Sequence, residues 1–162
     1  MGWSACGPGG VEMVGLLSQD EIEALLRRRR IGRIGYCLED RPYVVPVSYA
    51  YDGSAAYVFS GPGRKIDAMR VQPRVCFEVD DIAESAGAVD WRSVIADGVY
   101  EELTDDAERR AALSLLGKIC PGSRTCMPVI PAGMIVFRID LGEKTGRFGR
   151  EESELSGSRI AP

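Results

Sequence analysis

The chain has 162 residues, 45% of them apolar, with 24 acidic against 20 basic side chains and a formal net charge of -4. That length carries one core and one domain, the acidic balance argues against a nucleic-acid partner, and no apolar run reaches the roughly 18 residues of a membrane span. Five cysteines with no CxxC pair point to a reduced cytoplasmic protein, and a chain without histidine or asparagine has no Ser-His-Asp or Cys-His machinery, no His-ligated zinc and no histidine axial ligand for haem.

In chain order, residues 1–15 read as a flexible leader without the charged and apolar regions of a signal peptide. From Ser18, SQDEIEALLRRRR carries a capping box, Ser18 with Glu21, and an apolar face of Ile22, Leu25 and Leu26, which predicts a helix. Its arginines, Arg27 to Arg30, suit a solvated helix C-terminus, or with Arg33 a weak anion patch. RIGYCLE, a turn at Asp40 to Pro42, YVVPVSYAY, a turn at Asp52-Gly53 and SAAYVFS then predict an antiparallel meander. Pro46 cannot donate to a ladder, so its strand lies at an edge, at a bulge or against a ligand. Cys37 and Cys76, both in strands, are expected to be small core residues.

GPGRKIDAMRVQPRV is the most informative stretch. Ile66 and Met69 predict a short helix over 64–71, closed by Pro73, and Arg64 and Lys65 fall at its start. Cations are unfavourable there unless an anion joins them, because the helix N-terminus already carries partial positive charge and unpaired N–H groups. This is a phosphate-site pattern. Further on, Val75, Phe77 and Val79 alternate with Cys76 and Glu78, and SVIADGVYEEL predicts another strand with a bend or bulge at Gly98. A second long helix is expected from Asp105 to about Gly117 with a stripe of Ala111, Ala112, Leu115 and Leu116. A proline-rich loop holding Cys120 and Cys126 follows, where a redox role is the minority reading. A strand with Ile135, Phe137 and Ile139 on one face comes next, then a polar tail over 151–162 that reads as disordered. The sum is a mainly β domain over 16–150: about six antiparallel strands in a small closed barrel, with an N-terminal helix, a short helix after the third strand and a later helix.

The segments VVPVSYAYDG, YVFSGPGRKIDAMRVQPRVCFEVDD, WRSVIADGVYEEL and VFRIDLGEKTGR resemble the pyridoxamine 5'-phosphate oxidase-like flavoproteins with the FMN-binding split-barrel fold, and more narrowly their nitroimidazole-reductase-related branch. The resemblance implies a homodimer with FMN between subunits. It places the flavin phosphate on Arg64 and Lys65, the ring edge on Val45, Pro46, Val47, Ser48 and Tyr49 through backbone groups, close backbone approach at Ser60 and Gly61, and a polar contact at Ser93. Trp91 could cover the ring or belong to the core or an interface, and Arg147 is a weaker candidate. Tyr49 and Arg92 are the polar groups nominated for a small-molecule substrate. Phe59 stands where nitroimidazole-reductase-like members tend to carry histidine, and an alternating strand makes it a core residue or a neighbour of the flavin. The implied function is an FMN-dependent oxidoreductase passing electrons or hydride to a small acceptor, with NAD(P)H a possible electron donor. The alternative is a flavin carrier or sensor without turnover, and haem or a deazaflavin are rival occupants within the fold. No metal ligands and no catalytic residues are assigned.

Overall fold

Ser18 starts the first helix as its sequence dictates. Its Oγ accepts the Glu21 N–H at 3.4 Å, while Glu21 Oε2 accepts the Ser18 N–H at 2.9 Å. The helix, α1 (Gln19–Arg28), buries Ile22, Leu25 and Leu26. In this computed structural model, which describes residues 13–85, 88–118 and 133–152, it follows β1 (Met13–Leu16). The other elements are β2 (Ile31–Leu38), β3 (Arg41–Ser48), β4 (Ala50–Tyr51), β5 (Ala55–Ser60), α2 (Arg64–Val71), β6 (Arg74–Ser85), β7 (Ala88–Glu102), α3 (Asp106–Lys118) and β8 (Ile135–Glu152).

The fold is mainly β and antiparallel, with strand order β3-β2-β6-β7-β8-β5-β4 and β1 added on β8. Two expectations need correction. The sheet has eight strands among the described residues, and its ladder is not closed, because β3 and β4 end it without pairing to each other. The single strand expected over YVVPVSYAY is the reason. It breaks at Tyr49, with β3 pairing β2 before the break and β4 pairing β5 after it.

Tyr49 is fully buried, its N–H donates to Arg30 O at 3.0 Å, its Oη donates to Leu26 O at 2.8 Å, and its ring meets Phe77 edge-on at 5.0 Å. One residue thus ties the gap in the sheet to the helix that covers it. Around it the core gathers Ile34, Val58, Ile66, Met69, Phe77, Val79, Val94, Phe137 and Ile139. A smaller cluster of Leu103, Ala112 and Val136 lies under α3, where Ala112 and Leu116 are buried but Ala111 is exposed. Asp105 caps that helix by accepting the Ala107 and Glu108 N–H groups.

Several boundaries also differ. The first three residues of β1 and the last two of β8 lie inside the segments expected as leader and tail, held by pairs such as Met13↔Arg150 and Ala88↔Glu152. The first hairpin turns at Glu39 and Asp40, both at positive φ (50° and 61°), so Arg41 and Pro42 already belong to β3. Cys37 and Cys76 are exposed, because they share strand parity with Arg33 and Glu78 and not with the inward Ile34 and Phe77. Cys6, Cys120 and Cys126 lie outside the described residues. The arginines of α1 are engaged by the protein's own carboxylates: Arg27 by Glu23, Arg28 and Arg29 by Asp81, and nearby Arg33 by Glu78 and Asp80. Gly98 sits at the bulge its sequence announces, where register shifts between Ala96 and Gly98 and a Cβ would fall 2.4 Å from Ile139 Cγ2.

Candidate functional site

Gly63 caps α2 with φ 150°, a backbone conformation that side chains rarely adopt. Its carbonyl accepts the N–H of Ile66 at 2.9 Å and of Asp67 at 3.1 Å, so the N–H groups of Arg64 and Lys65 precede the first helical bond. Ile66, Ala68 and Met69 fix the helix in the core, and Arg70 binds Glu102 at 2.6 Å at the other end. Arg64 is exposed and Lys65 half-buried, and among the described residues neither has an ion pair or side-chain hydrogen bond. By contrast, Arg27, Arg28, Arg29, Arg33, Arg70 and Arg138 all sit on carboxylates. Two cations without ion-pair partners and open N–H groups make this end of α2 a fitting cradle for a phosphate, the first-turn carboxylate of Asp67 being paired with Arg70 at 3.5 Å.

The turn leading into it comes from β5. Ser60 is buried with Oγ donating to Gly61 O at 3.0 Å, so its hydroxyl is spent internally and the backbone is what it offers a ligand. Among the described residues a Cβ at Gly61 would meet only Met134 Sδ, at 3.9 Å, which leaves room there for close backbone approach. Phe59, immediately before, is 44% exposed, which excludes the core reading and leaves its ring on the surface beside the turn.

β3 ends the sheet, so Pro46 lies on an edge strand where its missing N–H is tolerated. Val44, Pro46 and Ser48 are exposed, Val47 is buried and Val45 half-buried. β3 lies beside β5 across the gap in the ladder, and α2, which follows β5 through Gly61, packs on β2, the strand paired with β3. The Tyr49 side chain points into the core. Burial pushes its hydroxyl well above the ordinary tyrosine range, and its nomination as a substrate contact gives way to a core role.

Ser93 is elsewhere. On β8, Ile135 pairs Ser60 whereas Arg147 pairs Ser93, twelve residues and about 40 Å of strand contour apart. Trp91 shares the face of Ser93 and Arg147, its ring lying over Gly149, where a Cβ would come within 2.6 Å. Arg92 points to the opposite face. One chain therefore gathers two separate groups: the α2 cradle with β3, and the far ends of β7 and β8. Arg92, nominated for a substrate contact, lines a cleft on that opposite face with Arg28 and with Phe148 and Arg150, the two that sequence reasoning missed; the alternation along FGR was their only signal. Among the described residues no group of three or more Cys, Asp and Glu is placed to hold a metal ion, and no helix is long and apolar enough to cross a membrane.

The fold recurs in known proteins. The model of the pyridoxamine 5'-phosphate oxidase family matches residues 18–148. The chain belongs to this family. Within the pyridoxamine 5'-phosphate oxidase-like proteins, it is 37% identical over 145 residues to an uncharacterized protein of Rhizobium meliloti, covering 83% of this chain and 94% of that one. It is 36% identical to an FAD-binding protein of Mesorhizobium loti, whose crystal structure superposes with a TM-score of 0.70 over 86% of this chain and 98% of that one. A candidate 5-nitroimidazole antibiotic resistance protein of Bacteroides thetaiotaomicron shares the fold at 23% identity and a TM-score of 0.72, over 90% of this chain and 95% of that one.

Proposed function

We propose that this chain is a flavin-dependent oxidoreductase that holds FMN with its phosphate on Arg64 and Lys65. The observation that carries the reading is the pair of cations left without a protein carboxylate at the glycine-capped start of α2. Family membership and the likeness to an FAD-binding protein support a flavin there. The flavin supplies the electron transfer when bound, and the chain's part is to bind, orient and shield it. Arg64, Lys65 and their N–H groups neutralise the phosphate. The outer edge of β3, rigid at Pro46 and anchored at Tyr49, offers backbone groups to a planar ring. Phe59, exposed beside the phosphate turn, offers an apolar surface to a substrate or to the ring.

The distance between the two groups of residues supports a homodimer. With Ser93 about 40 Å of strand contour from the cradle, a second copy related by a twofold axis could bring its own Ser93 and Trp91 to complete the site.

The test is purification, reconstitution with FMN and FAD, and an absorption spectrum with mass identification of the bound chromophore. Stoichiometric FMN is expected, whereas a haem spectrum or no retained chromophore contradicts the reading. NAD(P)H oxidation above that of free FMN is expected of an oxidoreductase, and its absence in the loaded protein indicates a carrier or sensor.

A further inference from the structure

A cleft of about 460 Å³ opens between the last turn of α1 and the strand ends of β6, β7 and β8, a size in the usual range for small-ligand sites. Trp91 and Gly149 form part of its rim, while Asp90, Arg92, Phe148 and Arg150 sit on the face of the strand pair opposite Ser93. Arg92 lies opposite Phe148 and Asp90 opposite Arg150, on the same face as the pair Val94↔Gly146. That face is the one α1 covers, since a Cβ at Gly146 would touch Ile22 and Leu17.

The cleft's charges are not balanced internally. Arg28, Arg92 and Arg150 line it with Asp81 and Asp90. Asp81 is taken by both Arg28 and Arg29, and Asp90 reaches Arg150 only at 3.9 Å, beyond hydrogen-bond range. Arg92 makes no ion pair or hydrogen bond among the described residues. Phe148 supplies an aromatic wall, 36% exposed, its ring fixed by Gly15, where a Cβ would lie 2.4 Å from Phe148 Cζ.

We propose that this cleft is a second ligand site that takes a phosphorylated heteroaromatic compound of the nucleotide monophosphate type. Arg92 and Arg150 suit the phosphate, because guanidinium matches its geometry and keeps its charge. Phe148 suits the base, and Asp90 suits sugar hydroxyls or an exocyclic amine. The same chemistry is carried by a free mononucleotide and by the adenylyl half of a dinucleotide cofactor. Apart from Trp91 on its rim, the site uses none of the residues proposed for the flavin.

The experiment is calorimetric titration of the full chain with AMP, adenosine and inorganic phosphate. Saturable AMP binding is expected, with adenosine and phosphate each at least about tenfold weaker, and Arg92→Gln together with Arg150→Gln should weaken AMP by roughly tenfold or more. Displacement of AMP by FAD or NADH assigns the adenylyl half of a dinucleotide, and failure of both to displace it assigns a free mononucleotide. No binding of AMP at millimolar concentration, phosphate binding as tightly as AMP, or an affinity unmoved by the double substitution overturns the proposal. A parallel FMN titration keeps the two readings separate: AMP without FMN refutes the flavin assignment alone, and FMN without AMP refutes this one alone.

Discussion

At the residue scale, the polar contacts that hold α1 to the barrel are as specific as the apolar ones. Lys144 on β8 donates to Glu23 at 2.6 Å and to the Tyr51 hydroxyl at 2.7 Å, with only 13% of its side chain exposed. Burial opposes the Lys144 charge, but Glu23 and Tyr51 outweigh it and raise its pKa. Glu23 is lowered in turn, as the bonds from Lys144 and Tyr51 overcome its own burial. Lys144→Met should cost about 1–2 kcal/mol in a denaturant titration, since it removes the nearest cation from a half-buried carboxylate that keeps only Arg27 and the Tyr51 hydroxyl; an unchanged midpoint would show the cluster to be ornamental. Asp52 gives a pH signature. Burial raises its pKa, but the Ala55 and Ser54 N–H groups and the Tyr57 hydroxyl together hold it below the ordinary value of 3.8. A depressed carboxylate stabilises the fold above its unfolded pKa and loses that contribution as pH falls through the folded one. Asp52→Asn should therefore flatten the loss of stability between about pH 5 and about pH 2, and parallel acid limbs in the two proteins would contradict this.

At the scale of elements, glycines mark where the backbone is forced. Gly98→Ala should destabilise by about 1–3 kcal/mol, because its Cβ would collide with Ile139 across the β7–β8 bulge. Gly63→Ala has open space around it and should still cost about 1 kcal/mol or more from its positive φ alone. Melting curves of both variants check the pair, and a neutral Gly63→Ala would mean the cap relaxes. These positions were legible in the sequence because their signals are local, as were the capping box at Ser18, the start of α2 after Gly63 and its end before Pro73. The break at Tyr49 was not, since it depends on which strand each half meets, and β1 was hidden because four residues become a strand only beside β8. Cys37 and Cys76 show the same limit: alternation sorts a strand into two faces without saying which one is covered. For the candidate site, Arg64 and Lys65 could be found from helix-end electrostatics, whereas the distance to Ser93 follows from the length and register of β8.

At the scale of the whole molecule, the proposed flavin site shared between copies predicts an assembly of two chains. Sedimentation of the FMN-loaded protein should give a dimer, and a monomer retaining stoichiometric FMN would contradict the shared-site account. Phe59→His should not by itself create nitroimidazole reduction, because an imidazole needs a surrounding shell to hold it and this ring stands on the surface; a clear gain of activity would show the site already organised for that chemistry. The central claim is that α2 begins at a phosphate. Titration of FMN and riboflavin into wild type and the Arg64→Ala, Lys65→Ala double variant, at one salt concentration, tests it most directly. Each charge-assisted contact contributes on the order of 1.5 to 3 kcal/mol, so FMN should bind the wild type far more tightly than riboflavin and weaken roughly a hundredfold or more in the variant. Riboflavin affinity should hardly move; a variant that keeps the wild-type preference for FMN over riboflavin would contradict the account.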